Sequence, residues 1–171
     1  RRIIMSQVML KGDPVSIGGT FPKVGDDVKD FNLANNKRED VTLEIFSGQK
    51  KVINIFPSID TPTCALSVKR FNQEVSHLSN TVVLCVSADL PFAQKRFCGA
   101  EGTDKIITLS SYRNNEKFSN DYGVAILDTS LKGLTSRAVI VLDENNKVIH
   151  SELVAEITEE PNYEAALSVL K

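Results

Sequence analysis

The chain has 171 residues, 42% of them hydrophobic, which is enough for one well-packed domain and short for two. Its 20 basic and 22 acidic residues are spread along the sequence for a net charge of −2, leaving no basic stripe for nucleic acid and no polybasic membrane anchor. No apolar run approaches the roughly 20 residues of a membrane span. Arg1-Arg2-Ile3-Ile4-Met5 leads into no signal-peptide core, so a soluble, cytoplasmic protein with a small-molecule or protein partner is expected.

In chain order, Val8 to Ile17 holds two short β-like runs around Gly12-Asp13-Pro14 and predicts a hairpin added to the main sheet. After a loop from Gly18 to Lys29, Phe31 to Leu33 and Val41 to Leu43 predict short strands. Val52-Ile53-Asn54-Ile55-Phe56 predicts a buried central strand. From Thr63 to Leu78 the residues Cys64, Val68, Phe71, Val75 and Leu78 step by four and three along one helical stripe. Thr81 to Val86 predicts a second buried strand. Pro91 to Cys98 predicts a short helix closed by Gly99. A strand over Ile106 to Leu109, a helix over Asn115 to Tyr122, a hairpin of Ala138 to Leu142 with Val148 to Leu153, and a closing helix over Asn162 to Leu170 complete the reading. The order β-α-β-α-β-α-β-β-α is that of an α/β protein with a central mixed sheet flanked by helices. Sites in such folds gather outside the carboxyl ends of the strands.

The sharpest local signal lies at one of those ends, in Pro57-Ser58-Ile59-Asp60-Thr61-Pro62-Thr63-Cys64. Thr61 suits an N-cap and Pro62 the first helical position, which puts Cys64 third in the helix. Unpaired backbone N–H groups and the positive end of the helix dipole favour a thiolate there, and hence a nucleophile. The Thr61 hydroxyl is expected to accept the Cys64 N–H as a cap while donating to the sulfur or to a substrate oxygen.

The chain's three cysteines include no Cys-x-x-Cys pair and no cluster with zinc spacing. In a reducing compartment any disulfide is therefore catalytic or regulatory in character. Cys85, inside Val82-Val83-Leu84-Cys85-Val86, reads as a core residue. Cys98 sits near Gly99 and Gly102 at the other kind of helix end, where the dipole disfavours a thiolate while Lys95 and Arg96 favour one. The pattern leaves Cys98 open between an inert helix residue and a sulfur that resolves a Cys64 sulfenic acid as a disulfide. His77 and His150 have no motif context.

The Pro57-x-x-x-Thr61-x-x-Cys64 segment resembles the active-site motif of peroxiredoxins. The block Ser87 to Gly99, with Pro91-Phe92-Ala93-Gln94-Lys95-Arg96-Phe97-Cys98, is similar to the resolving-cysteine helix of the bacterial thiol peroxidases, which are atypical two-cysteine peroxiredoxins. The similarity runs on through Tyr122-Gly123-Val124-Ala125 and Leu131 to Ala138, from about Met5 to Lys171. It implies a thioredoxin-like fold and a homodimer, with Cys64 as the peroxidatic and Cys98 as the resolving cysteine. It also implies a disulfide within one subunit, recycled by thioredoxin. It assigns Thr61 to hydrogen-bonding thiolate and peroxide, Pro57 to shielding the site, and Arg137 to stabilising the sulfur and the charge developing on the peroxide oxygens. Spacing by itself leaves Arg137 equally an ordinary strand-edge charge. Residues 5–171 then form the single domain, and residues 1–4 an expression remnant or upstream extension.

The resulting expectation is a thiol-dependent peroxidase acting on hydrogen peroxide and organic hydroperoxides, with Phe56, Ile59, Phe92 and Phe97 beside an alkyl chain. Two-electron chemistry at sulfur needs no metal, flavin or haem, and no motif for one is present. A thioredoxin-like disulfide reductase is disfavoured because Thr61 stands where the first cysteine of Cys-x-x-Cys would be. A peroxide-responsive redox sensor uses the same sulfur chemistry and remains the alternative.

Overall fold

The computed structural model describes residues 5–171, so the reading of residues 1–4 lies outside it. Two strands, β1 (Met5–Leu10) and β2 (Asp13–Gly18), pair antiparallel as the expected hairpin. Its two-residue turn is Lys11-Gly12 rather than Gly-Asp-Pro. Both residues have positive φ, 51° and 84°, the geometry whose twist matches a β-ribbon, and Pro14 lies inside β2 opposite Met9.

Leu33–Ala34 (β3) and Asp40–Val41 (β4) follow. The expected strand over Val41 to Leu43 is cut short, because the chain turns at Leu43–Phe46 into a 3-10 helix that buries Leu43 and Phe46. The central unit is β5 (Lys50–Ile55), α1 (Pro62–Glu74), β6 (Thr81–Ser87), α2 (Pro91–Glu101) and β7 (Ile107–Ser110). After it come α3 (Asn115–Asp121), β8 (Ala125–Ile126), β9 (Ala138–Leu142), β10 (Val148–Leu153) and α4 (Tyr163–Ser168). The main sheet runs β10-β9-β5-β6-β7-β3-β4, with β5, β6 and β7 parallel and β9 antiparallel to β5. The hairpin and β8 make a separate three-stranded sheet. Sequence reading does not reveal β8, since two residues carry too little periodicity.

Gly99 does not end the second helix. It lies within α2, which continues to Glu101 and stops at Gly102, where φ is 67°. The Gly102 and Thr103 amides both donate to the Cys98 carbonyl, as in a left-handed helix cap. Gly102 ends the helix because that backbone conformation carries no Cβ penalty there.

Alternation along the strands sorts side chains to two faces. Ile53, Ile55, Leu84, Val86 and Ile140 meet Phe118 of α3 and Tyr122, which caps it, on one side. Val52, Phe56, Val83, Cys85, Val139 and Val141 meet Cys64, Val68 and Phe71 of α1, Phe97 of α2 and Ala166 of α4 on the other. At roughly 25 cal/mol per Å² of apolar surface removed from water, such burial on both faces makes the sheet the rigid centre of the molecule. No helix among the described residues is long and apolar enough to cross a membrane.

Candidate active site

The loop after β5 delivers Cys64 to the first turn of α1. Thr61 is the N-cap, with extended backbone (φ −99°, ψ 147°), and its carbonyl accepts the Ala65 N–H at 3.0 Å, while Pro62 begins the helix. The local reading from sequence therefore holds for the backbone. It does not hold for the Thr61 hydroxyl, which donates to the Ser58 carbonyl at 3.0 Å and makes no cap bond. The hydroxyl serves the bend of residues 58–61, whose amide at Thr61 donates to the same carbonyl at 3.1 Å.

Cys64 is fully buried. Below it, its carbonyl accepts the Ser67 hydroxyl at 2.8 Å, and Ser67 in turn accepts Asn54 Nδ2 at 3.2 Å. This polar pair fixes the first turn of α1 onto β5.

Arg137, 73 positions away in sequence, brings a guanidinium to the sulfur: Nη2 donates to Cys64 Sγ at 3.3 Å. Strand register explains the encounter. Ile55 pairs with Ala138, so Arg137 falls one residue beyond the paired stretch, beside Phe56 at the start of the Cys64 loop. The alternation of β9, carried back one residue to Arg137, puts it on the face of Val139 and Val141, which is the face α1 covers. The same guanidinium donates Nε to the Ile157 carbonyl at 2.8 Å, and Arg137 is only 2% exposed. Its remaining nitrogen, Nη1, is buried with no hydrogen-bond partner among the described residues. A cation held this firmly, one arm on sulfur and one arm free, is suited to a second acceptor beside the sulfur.

The segment after β10 completes the frame. Thr63 donates to the Thr158 carbonyl at 3.0 Å, and the Glu156 carboxylate accepts the amides of Thr158, Lys11 and Gly12. These hydrogen bonds, led by that from Thr158, hold the Glu156 carboxyl down at about 2. Ile157, the carbonyl partner of Arg137, is thus clamped between two anchored neighbours.

The other expected residues distribute unevenly. Pro57 is buried within the loop, between β5 and α1. Phe56, Ile59 and Phe97 share one apolar cluster with Cys64. Phe92 projects outward, 63% exposed, beneath the Arg38 guanidinium at 5.0 Å from its ring centre. Cys98 is half-buried on α2 and packs against the Cys64 cluster from its own side; among the described residues neither it nor Cys64 or Cys85 is in a disulfide. It also borders a groove of about 550 Å³ shared with Lys95, Asn35, Thr103 and Ile106. Arg96 is turned to Asp60, with Nη2 to Oδ1 at 3.0 Å. Burial pushes the Cys85 thiol up to about 12, although Asn54 Nδ2 donates to it at 3.8 Å. That sulfur is a core group. Among the described residues no group of three or more His, Cys, Asp or Glu side chains is placed to hold a metal ion.

A cysteine at a helix N-terminus, opposed by a buried arginine from an antiparallel strand, sits in a chain whose residues 23–167 match the Redoxin family. The chain belongs to that family. This redoxin is 46% identical to the thiol peroxidase of Corynebacterium glutamicum over 166 residues, covering 97% of this chain and 99% of that protein. Its structure superposes on a peroxiredoxin-like protein from Aquifex aeolicus with a TM-score of 0.89 at 36% identity, over 97% and 96% of the two chains. A thiol peroxidase from Chromobacterium violaceum gives the same TM-score at 27% identity, over 96% and 95%. The fold of this redoxin is accordingly the thioredoxin-like α/β fold of peroxiredoxins, with the N-terminal hairpin as its addition.

Three groups of the site had no sequence signal strong enough to single them out: Ser58, Asp89 and the Ile157 carbonyl. A backbone carbonyl carries no residue identity, and Ser58 and Asp89 acquire meaning only through the contact between them.

Proposed function

We propose that this protein is a thiol-dependent peroxidase of the two-cysteine peroxiredoxin type, reducing hydrogen peroxide and organic hydroperoxides. Peroxidase oxidoreductase activity rests on the near-full-length likeness to thiol peroxidase. The observation that carries the reading to the residues is the Arg137 guanidinium, with Nη2 on Cys64 Sγ and Nη1 unpartnered.

In this reading the Cys64 thiolate attacks the terminal oxygen of a hydroperoxide. An S–O bond forms as the O–O bond breaks, sulfur is oxidised to sulfenic acid, and the leaving oxygen takes a proton to depart as alcohol or water. Arg137 Nη1 lies free to donate to the oxygen that gains negative charge, a fixed donor in a water-poor site. Pro57 keeps solvent from the sulfur, and Thr61 turns its hydroxyl from Ser58 towards the thiolate and peroxide. The Cys98 thiol then displaces hydroxide from the sulfenic sulfur, forming Cys64–Cys98 and releasing water. A dithiol reductant, thioredoxin, returns both sulfurs to thiols. Phe56, Ile59 and Phe97 stand beside the substrate, with Phe92 at the outer edge. Residues 5–171 act as one domain, paired in a cytoplasmic homodimer, without a cofactor.

Cys64 is fully buried and Cys98 stands on a different helix, so closing the bond requires the first turn of α1, the end of α2, or both, to open locally. Hydrogen-exchange protection over residues 61–66 and 91–99 is expected to differ between dithiol and disulfide forms.

The deciding experiment is peptide mapping after one equivalent of cumene hydroperoxide, alkylating without reduction, beside Cys64→Ser and Cys98→Ser. A Cys64–Cys98 link, replaced in Cys98→Ser by trapped Cys64 sulfenic acid, is the expected result. Cys85 is expected to resist alkylation until the protein is denatured. A Cys64 that stays alkylatable after peroxide would remove the peroxidase reading. Continued peroxide turnover with thioredoxin, thioredoxin reductase and NADPH separates an enzyme from a single-use sensor.

A further inference from the structure

Beside the exposed Asp60–Arg96 pair, a less exposed carboxylate, Asp89, joins the two cysteine-bearing segments. Asp89 lies between β6 and α2, two residues before the helix that carries Cys98, yet its hydrogen bonds reach the loop that carries Cys64. Oδ1 accepts the Ser58 hydroxyl at 2.8 Å, and Oδ2 accepts the Ile59 amide at 2.7 Å and the Ser87 hydroxyl at 2.5 Å.

Asp89 is itself held from behind. Gln94 of α2, fully buried, donates to Ser87 Oγ at 3.1 Å and to the Leu109 carbonyl at 3.0 Å, and Ser110 donates to the Asp89 carbonyl. The carboxylate is therefore a fixed point at the carboxyl ends of β6 and β7, and the Cys64 loop hangs from it.

Ser58 passes that position onward. Its hydroxyl donates to Asp89 while accepting the Asp60 amide at 3.2 Å, and its carbonyl accepts both the amide and the hydroxyl of Thr61. Thr61 is the N-cap of the helix in which Cys64 occupies the first turn. A hydrogen-bonded path thus runs from Asp89 through Ser58 and the Thr61 amide to the turn presenting the nucleophile, and it persists when the Thr61 hydroxyl turns to the peroxide. Hydrogen bonds to a charged acceptor are about twice as strong as neutral ones, which makes the Asp89 contacts the strongest hold in this path.

We propose that Asp89 is a positioning residue that holds the Cys64 turn in its peroxide-reactive geometry, and that its bonds to Ser58 and Ile59 break when Cys64 moves to Cys98. Asp89 thereby sets opposite demands on the two steps, favouring attack on peroxide and opposing disulfide closure. This rests on the two-step peroxidase reading above.

The test separates the steps. Sulfenic acid formation is followed by stopped flow in the Cys98→Ser background, and disulfide closure is followed with all cysteines present at saturating peroxide, both normalised to reactive Cys64 by titration. Asp89→Ala is expected to slow attack about tenfold, the size of effect that displacement of a nucleophile by a fraction of an ångström produces, while closure is unchanged or faster. Asp89→Asn, whose amide oxygen still accepts the Ile59 amide, is expected to recover most of the attack rate. Ser58→Ala removes one of the carboxylate's contacts, and the Asp60 amide bond with it, while leaving the carboxylate in place; it is the milder variant should Asp89→Ala fail to fold, and is expected to shift both steps in the same directions.

Equal slowing of both steps, or an attack rate per reactive Cys64 unchanged in Asp89→Ala and Ser58→Ala, would overturn the positioning role. Absence of peroxide reaction in the unsubstituted protein would instead remove the peroxidase reading, and this inference with it.

Discussion

The segments carrying Cys64 and Cys98 begin as copies of one design. Each is a parallel strand, β5 or β6, followed by a loop and a helix with proline at its start. They differ in where the sulfur falls along the helix. Cys64 stands in the first turn, fully buried, with its helix start tied to the Ser58 bend and its sulfur facing a guanidinium. Cys98 stands in the last stretch of α2, half-buried beside an open groove, and its carbonyl receives the closing bonds from Gly102 and Thr103. The same strand-loop-helix design thus places one sulfur at the donor-rich start of its helix and the other near the end of its own. A helix N-terminus offers donors and positive potential to an anion, whereas a helix C-terminus frays with little cooperative loss.

Breaking the Cys64 side of this comparison is expected to have the largest effect. Arg137→Lys keeps a positive charge but loses the planar fork that bonds Ile157, the sulfur and a further acceptor at once. Peroxide attack is expected to fall about 10²-fold, as for loss of one fixed donor from an oxyanion site. Stopped-flow kinetics would measure this, with circular dichroism checking the fold.

The Cys98 side is tested by two glycines, with smaller and opposite effects. Gly102→Ala forces a Cβ into left-handed backbone and is expected to cost about 1 kcal/mol in urea unfolding, with nothing within 4 Å to add a clash. Gly99→Ala lies in ordinary helix, also with open space around the new methyl group. It is expected to stabilise by about 0.5–1 kcal/mol and to slow disulfide closure by stiffening the turn that must open. Equal responses at the two positions would contradict the assignment of Gly102 as the helix terminus.

A subtler effect concerns the frame under Arg137. The Glu156 carboxyl is held at about 2 against an ordinary value of 4.5. A depressed carboxyl contributes stability that is complete above 4.5 and lost as pH falls from there through 2. Glu156→Gln is therefore expected to flatten the acid side of the stability profile in that window and to leave its shape above pH 5 unchanged. Thermal unfolding across the pH range would read this directly.

The smallest effect is expected where the two segments meet at the surface. Asp60 and Arg96 are 57% and 65% exposed, and such pairs contribute a few tenths of a kcal/mol that salt removes. Asp60→Asn is expected to change stability by less than about 0.5 kcal/mol. A large effect would mean that this pair, rather than Asp89, is the main tie between the two segments.

What was legible in the sequence was local. Val52 to Phe56, Thr61-Pro62 before an apolar stripe, and the hairpin of β9 and β10 each announce themselves within one short continuous stretch of chain, because strand burial, helix capping and helix periodicity are short-range physics. The resemblance of the Pro57 to Cys64 and Ser87 to Gly99 segments to peroxiredoxins added the candidate roles. Gly99 misled because composition marks a glycine but not its φ, and Gly102 shows the left-handed value only once the chain has turned. The Thr61 hydroxyl misled because a capping bond and a bond back to Ser58 are equally available to a threonine at that position, and the bend of residues 58–61 chooses between them. Only tertiary structure could bring Arg137 to Cys64, through the antiparallel register of β5 and β9, and Asp89 to Ser58, through the parallel neighbourhood of β5 and β6. The sequence by itself determined a cysteine in the first turn of a helix. Its partners come from pairings dozens of residues apart, which depend on sheet register and on which face each alternate side chain meets, and no local pattern carries that information.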